Sequence, residues 1–215
     1  MVAWIKPSST VPYQTLLVGG VALLASAIIS IGFQLTSGDI AKRQAEDRLV
    51  SLRQVLPSAP PGDELLRNPV TVKDEAGNDV VVYRVLKDGK VDGVAYQIIG
   101  QGYSGDIVLV IGVAPDGKLL GVRTVSHAET PGLGDKIETA KSDWVLGFAG
   151  RSLSDPPPEK WGVKKDGGVF DQFTGATITP RGVVKAVKQG LEFFDAHASE
   201  MLETSNSGAS GGLHE

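Results

Sequence analysis

The sequence predicts an α+β protein with one N-terminal transmembrane helix and a single domain that combines an antiparallel sheet with packed helices. An uncharged stretch runs from Thr15 to Leu35. Segments rich in valine and isoleucine follow between about residues 70 and 125, separated by Asp-Gly turns. A helical pattern with one apolar face then occupies about residues 180 to 198. The length of 215 residues fits one ordinary domain together with such an anchor.

The uncharged stretch is long enough to cross a membrane, because a helix needs about 20 apolar residues to span the hydrocarbon core. Its glycines and serines are tolerated in lipid. Ala25-Ser26-Ala27 imitates a signal-peptide cleavage site, which is the competing interpretation. Apolar residues continue for eight positions beyond it, further than signal peptides usually extend. We therefore expect a short segment at residues 1–14 and a retained anchor at residues 15–36.

The charges beside the anchor do not agree with an exported domain. Lys6 lies before the anchor, and four basic residues follow it, mixed with acidic residues that contribute little to orientation. By lysine and arginine count alone, the domain after the anchor would stay on the cytoplasmic side. The four basic residues are Lys42, Arg43, Arg48 and Arg53.

After the anchor, the pattern predicts a helix that ends before Pro57 and then a series of strands. The turns KDGK and APDGK contain Asp-Gly, which readily takes positive φ, so the strands form an antiparallel meander and not a βαβ series. The strand segments are DVVVYRVL, GVAYQII, DIVLVIGV and LLGVRTV.

The second half of the domain is predicted to hold two helices separated by a loop or edge segment, SDPPPEKWGVKKDGG. The first helix follows a glycine-rich loop and carries Ile137, Ala140 and Trp144. The second runs from Pro180 to about Ala198. The domain is expected to cover residues 37–203, and the small, polar residues 204–215 to be disordered. The apolar face of the second helix consists of Val183, Val184, Val187, Leu191 and Phe194.

Composition excludes several classes of site. The chain has no cysteine, which excludes disulfides, thiolate-held iron–sulfur clusters, c-type haem attachment and zinc–cysteine sites. Its three histidines, His127, His197 and His214, lack paired metal-ligand spacing, so no metal is expected. The net charge of −4 and the scattered basic residues give no reason to expect nucleic acid.

The run GQGYSG, Gly100 to Gly105, matches the glycine spacing of dinucleotide-binding loops. Those loops need a strand before them and a helix after them. The next segment, DIVLVIGV, is typical of a strand, so we interpret the run as a connection between strands. Close approach of this backbone to a ligand from elsewhere stays open.

Three threonines precede the last helix. Thr179 is expected to cap it and Pro180 to occupy its first position. Gly175 allows a tight turn just before the helix. Free amides and the helix dipole favour an anion at such a helix start, and the hydroxyls of Thr174, Thr177 and Thr179 add donors. The residues alone leave two interpretations open, a phosphate site or a plain capped helix.

The stretch Thr174-Gly175-Ala176-Thr177, with Asp171 before it and Thr179 after it, resembles the flavinylation motif of FMN-binding domains. Such domains occur in the C subunit of the sodium-translocating NADH:quinone reductase and in the G subunit of the Rnf electron-transport complex. A second stretch, SHAETPGLGDKI at residues 126–137, resembles the other signature of these domains. With the anchor, the likeness covers nearly the whole chain and is closer to the Rnf G subunit.

The resemblance implies that FMN is bound covalently, through a phosphoester on the second threonine of the motif, Thr177. It also implies a separate magnesium-dependent transferase that takes the flavin from FAD. Asp171 matches an acidic position of the motif, which is expected to matter to that transferase. Pro180 stands where a serine is expected, a departure that leaves the attachment unaffected.

The neighbouring motif is expected to contact the flavin. Gly132 and Gly134 would let the loop approach the flat ring, and Leu133 would pack on it. Glu129 and Thr130 would hydrogen-bond the isoalloxazine or ribityl groups. Two further interpretations concern side chains nearby. His127 has either a structural role or a redox-coupled proton role, and Trp144 and Trp161 are expected in the core.

Taken as a member of this family, the chain is expected to be an electron-transfer subunit that is not active alone and has no catalytic residue of its own. Its FMN would relay electrons in a bacterial inner-membrane complex that couples ferredoxin and NAD oxidoreduction to ion movement. Its expected partners are other membrane subunits, the flavin transferase and membrane lipid. The resemblance places the flavin domain on the periplasmic side. Two alternatives stay open: the C subunit of the quinone reductase, and an anchored module that binds a free phosphate ligand without redox chemistry.

Overall fold

The computed structural model describes residues 10–67 and 69–203. The predicted tail at residues 204–215, His214 and most of the short segment at residues 1–14 lie outside the described residues. The chain divides into two compact units, one up to Asp47 and one from Arg48 onward. The first helix, α1, is Thr10–Val55.

The first unit contains the apolar part of α1. The window Gln14–Ile31 has a mean hydropathy of 2.0, and none of it is buried by the protein. A helix of this length and composition can cross a membrane. This is the helix that the uncharged stretch of the sequence predicts.

The second unit is built on a five-stranded antiparallel sheet in the order β1-β2-β3-β4-β5. Each strand pairs with the next one in the chain, so the predicted meander is confirmed. The strands are β1 Val70–Lys73, β2 Asp79–Lys87, β3 Lys90–Gln101, β4 Asp106–Val113 and β5 Leu119–Ser126.

The two Asp-Gly turns lie where the sequence predicts them. Between β2 and β3, Asp88 and Gly89 have φ values of 52° and 75°, as a two-residue turn that follows the strand twist requires. Between β4 and β5, the N–H of Gly117 donates to the carbonyl of Ala114 at 2.9 Å. These turns fix the register of the hairpins.

Helix α2, Ile178–Leu202, covers one face of the sheet. Its predicted apolar face is buried, from Val183 to Phe194. Small residues at every fourth position let α2 lie close to β3, since Gly182 faces the carbonyl of Gln101 and Ala186 faces Gly100. The Tyr96 hydroxyl in β3 donates to the carbonyl of Gly190 at 2.7 Å.

The other face of the sheet is covered by the last turns of α1 and the segment after it. Leu52, Val55, Leu56 and Leu65 are buried there against side chains of β2, β3 and β4. A side chain at Gly112 would overlap the backbone carbonyl of Val55. The sheet therefore has a packed layer on both faces.

The prediction of a single helix carrying Ile137, Ala140 and Trp144 is wrong. Two short 3₁₀ helices, Asp135–Ile137 and Asp143–Phe148, lie there instead. Glu138 is extended with ψ 136°, and the extended Ser142 accepts the N–H of Trp144 and starts the second helix. Ala140 is exposed, while Ile137, Val145 and Phe148 are buried, so burial follows tertiary packing and not a helical period.

The predicted loop after it is confirmed, with short 3₁₀ helices at Pro158–Lys160 and Lys164–Asp166. Trp161 lies in the core, as expected, where its ring is 5.3 Å from that of Phe170 between centroids. Phe170 stacks on Phe148 at 4.5 Å. This aromatic cluster holds the loop against the body of the domain.

Candidate functional site

The Gly-Ala-Thr stretch begins with a tight turn. The N–H of Ala176 donates to the carbonyl of Phe173 at 3.1 Å, and Gly175 has a φ of 82°. Such a positive φ at the third turn position favours glycine. Phe173 is buried and anchors the turn, whereas Thr174 and Gly175 are exposed at its outer side.

Thr177 stands immediately before α2. It is half-buried, and its hydroxyl forms no capping hydrogen bond with the helix. Among the described residues, the N–H groups of Ile178 and Thr179 also have no partner. Orphan donors are expected in a first helical turn. The hydroxyl of Thr177 is therefore unengaged next to two free amide donors.

The predicted roles of Thr179 and Pro180 need correction. Helix α2 begins at Ile178, two residues earlier than predicted, so Thr179 is its second residue and not its cap. Pro180 is the third residue, still in the first turn where a missing N–H costs nothing. The buried hydroxyl of Thr179 donates to Oε2 of Glu129.

Glu129 is buried at 5% exposure between three parts of the chain. Its Oε1 accepts the N–H of Ser104 at 2.9 Å, from the connection between β3 and β4. A Cβ added at Gly102 would overlap Oε1, and one at Gly134 would lie 2.6 Å from Oε2. The glycine run that resembles a dinucleotide-binding loop is thus a strand connection, as interpreted, and it borders the candidate site.

The loop after Glu129 is a turn with Pro131 and Gly132 at its corner. The carbonyl of Thr130 accepts the N–H groups of Leu133 and Gly134, both at 3.1 Å, and Gly132 has a φ of 78°. Leu133 is 44% exposed. Its Cδ2 would lie 3.5 Å from a Cβ at Gly175, so the two predicted motifs are in contact.

His127 has partners on both ring nitrogens. Nδ1 accepts the N–H of Glu129 at 3.0 Å, and Nε2 lies 2.9 Å from Oε1 of Glu138. Because Nδ1 accepts, the ring proton is assigned to Nε2, which donates to Glu138. This arrangement favours the structural role over the redox-coupled proton role.

Asp135 follows the loop and is 5% exposed. The backbone N–H of Gly132 holds the pKa of its carboxyl below the ordinary 3.8, and the Lys141 ammonium, 3.4 Å from Oδ2, acts in the same direction. Desolvation opposes both. The charged form of Asp135 is therefore favoured in the folded loop.

Asp171 lies beside the Thr174 turn and is exposed. Its carboxylate pairs with the Lys164 ammonium at 2.6 Å, and its carbonyl accepts the indole N–H of Trp144 at 2.8 Å. The ring of Trp144 also packs edge-on against Phe173, with centroids 5.0 Å apart. Trp144 is half-buried, and through Asp171 and Phe173 it contacts both residues that flank the start of the turn. The sequence predicts Trp144 only as a core residue of a helix and gives no sign of these contacts.

The structure thus brings together residues that lie about 50 positions apart, at Glu129 to Gly134 and at Gly175 to Thr179. The site combines a free hydroxyl and two free amides with exposed apolar side chains, among them Leu133 and Ile178. Such a surface fits a ligand with an anionic phosphate and a flat apolar ring. No group of three or more potential metal ligands occurs in the described part of the chain.

The FMN-binding domain family matches residues 102–192, which include both motifs. The G subunit of the ion-translocating oxidoreductase complex of Cereibacter sphaeroides is 49% identical over 187 residues, 87% of this chain and 85% of the relative. The corresponding G subunit of Stutzerimonas stutzeri is 46% identical over 85% of this chain and 80% of the relative.

A third G subunit, from Aliivibrio fischeri, is 41% identical and aligns over 90% of this chain and 94% of the relative. Among solved structures, NqrC of Shewanella oneidensis is similar at 29% identity and a TM-score of 0.46, covering 68% of this chain and 73% of that one. The chain belongs to the family of G subunits of ion-translocating oxidoreductase complexes, and it contains an FMN-binding domain.

Proposed function

We propose that this chain is a membrane-anchored flavoprotein subunit that relays electrons through FMN bound covalently to Thr177. The observation that carries the proposal is the convergence of two motifs, in which Leu133 lies beside Gly175 and Glu129 binds Thr179. Thr177, whose hydroxyl makes no capping hydrogen bond, lies between Gly175 and Thr179 in the sequence. The complex would couple electron transfer between ferredoxin and NAD to ion movement.

The attachment would join the Thr177 oxygen to the phosphorus of FMN. The incoming hydroxyl loses its proton and displaces AMP from FAD, so one P–O bond forms and the P–O bond of the diphosphate breaks. A separate magnesium-dependent transferase would catalyse this step. The exposed carboxylate of Asp171, three residues before Thr174, is accessible to such an enzyme.

Once bound, FMN supplies the redox chemistry, and the chain orients it and tunes its potential. The free amides of Ile178 and Thr179 would donate to the phosphate oxygens at the start of α2. Thr174 and Thr130 are exposed hydroxyl donors beside it, and Leu133 would cover part of the ring. Gly175, Ala176, Gly132 and Gly134 form the two turns that hold these groups. His127 belongs to the site indirectly, through the backbone N–H of Glu129.

Helix α1 would hold this domain at the inner membrane, with lipid around its apolar window and other subunits of the complex nearby. We place the flavin domain on the periplasmic side, although the number of basic residues after the anchor would favour the cytoplasmic side. In this role the chain carries electrons between other subunits and is not an enzyme alone.

Replacement of Thr177 tests the attachment. Thr177→Ala, expressed with the transferase, should give protein without flavin fluorescence after denaturation and gel electrophoresis. The exposed Thr71 of β1, which lies outside both motifs, supplies a matched control as Thr71→Ala, which should stay fluorescent. A fluorescent Thr177→Ala band would refute attachment at this oxygen. Loss of fluorescence in both variants would point to a general failure of maturation.

A further inference from the structure

The carboxylate of Glu129 holds together the three chain segments that border the flavin site. Oε1 accepts the N–H of Ser104 from the β3–β4 connection, and Oε2 accepts the Thr179 hydroxyl from the first turn of α2. Glu129 itself immediately precedes the third segment, the loop from Thr130 to Gly134. The partners lie 25 and 50 positions away in sequence, so this one side chain closes two long-range connections.

The surrounding backbone is shaped to admit this carboxylate. Gly102 and Gly134 approach it from two sides, and a Cβ at either position would overlap it or lie far inside contact distance. A Cβ at Gly134 would also lie 2.9 Å from Oγ1 of Thr179. Neither Gly102 nor Gly134 has a positive φ, so backbone conformation does not require glycine at these positions. Glycine is required there because the backbone lies too close to the Glu129 carboxylate to leave room for a Cβ.

Both oxygens of Glu129 already have donors within the protein, and both donors are neutral groups. A buried carboxylate in this position costs desolvation unless its hydrogen bonds are complete. Its contact with the second residue of α2 adds the favourable field of the helix start. These features indicate that the Glu129 carboxylate connects segments of the protein and does not point toward a ligand.

We propose that Glu129 is a positioning residue for the flavin, which clamps the Thr130 to Gly134 loop to the first turn of α2 and acts through this shape without contacting the ring. The inference rests on the proposed FMN attachment to Thr177. The clamp fixes the loop that carries Leu133 relative to the residue that carries the phosphoester. Without it, the tethered ring would remain attached while its surroundings became mobile.

The clamp is tested first without flavin, in full-length protein made without the transferase. Glu129→Ala and Thr179→Val should each lower the Tm by several degrees, because each leaves a buried polar group without its partner. Glu129→Gln and Thr179→Ser should stay near the wild-type Tm. The glutamine amide can donate to the threonine hydroxyl while its oxygen still accepts the Ser104 N–H. Unchanged Tm values in Glu129→Ala and Thr179→Val would overturn the clamp.

The effect on the flavin is tested in protein matured with the transferase. In Thr179→Val the anisotropy of flavin fluorescence should fall and the midpoint potential should shift, while Thr179→Ser and Glu129→Gln retain the wild-type anisotropy. If Glu129→Gln lowers the anisotropy as much as Thr179→Val at a wild-type Tm, Glu129 acts on the ring directly and the proposal fails. Should Glu129→Ala not fold, the two Thr179 variants still decide the outcome.

Failure of the clamp and failure of the attachment give different results. An unmodified Thr177 peptide alongside the expected Tm losses would refute the flavin attachment and leave the clamp as a structural joint. A modified Thr177 peptide alongside unchanged Tm values and anisotropy would refute the clamp and leave the attachment intact.

Discussion

The three threonines near the start of α2 have three different surroundings. Thr174 is exposed at the outer side of a turn, Thr177 is half-buried with an unengaged hydroxyl, and Thr179 is buried and donates to Glu129. The sequence predicts that hydroxyls gather here, but it assigns the cap to Thr179. The structure places the cap position at Thr177 instead, and it pairs the Thr179 hydroxyl with Glu129, 50 positions away, a contact that no local pattern contains.

At the same scale, Asp135 makes folding stability depend on pH. Its folded pKa lies below the ordinary 3.8, so its charge stabilises the fold above that value. This contribution is lost as pH falls from 3.8 through the lower folded pKa. The difference in unfolding free energy between wild type and Asp135→Asn should therefore be largest near neutral pH and shrink in acid. Urea denaturation at a series of pH values measures it.

A second variant checks the cause of this shift. The backbone N–H of Gly132 is the largest single influence that lowers the pKa of Asp135, and the hydrogen bond and the charge of the Lys141 ammonium are each smaller. Lys141→Met should consequently weaken the acid dependence without abolishing it. A difference between wild type and Asp135→Asn that stays constant with pH would contradict the assignment.

At the scale of elements, the close packing of α2 on β3 requires glycine at position 182. Alanine there would gain about 1 kcal/mol in helix propensity. Its Cβ, however, would overlap the carbonyl of Gln101, and a backbone group cannot rotate away. Overpacking of this kind costs about 1–3 kcal/mol or more, so Gly182→Ala should lower the free energy of unfolding.

The exposed Gln189 in the same helix provides the control, because Gln189→Ala should change the unfolding free energy by less than about 0.5 kcal/mol. Chemical denaturation of both variants measures the difference. Stabilisation by Gly182→Ala would mean that propensity outweighs the approach to Gln101.

The elements differ in how far the sequence predicts them. The strands and their turns follow from alternation and from Asp-Gly pairs, which act locally. The apolar face of α2 follows from its helical period. The structure of the segment from Asp135 to Phe148 does not follow from a helical period. Ser142 interrupts the segment, and its buried residues are those that tertiary packing places in the core. The glycines around Glu129 are visible in the sequence, but their purpose depends on a contact between distant segments.

At the scale of the whole molecule, the orientation of the anchor can be measured directly. The chain has no cysteine, so single cysteines introduced at position 8 and at the exposed Glu159 report on the two sides of α1. In cells with a permeabilised outer membrane, an impermeant maleimide should label Glu159→Cys and leave Ser8→Cys unlabelled. The reverse pattern would mean that the basic residues after the anchor determine its orientation.

The central claim is that one oxygen of this chain, on Thr177, is bonded to phosphorus. A peptide mass spectrum of the protein purified from its native membrane tests it most directly. We predict that the peptide containing Thr177 carries the mass of one FMN less water, with fragment ions that assign the adduct to Thr177. An unmodified peptide from a host that makes the transferase, or an adduct on Thr174 instead, would contradict it.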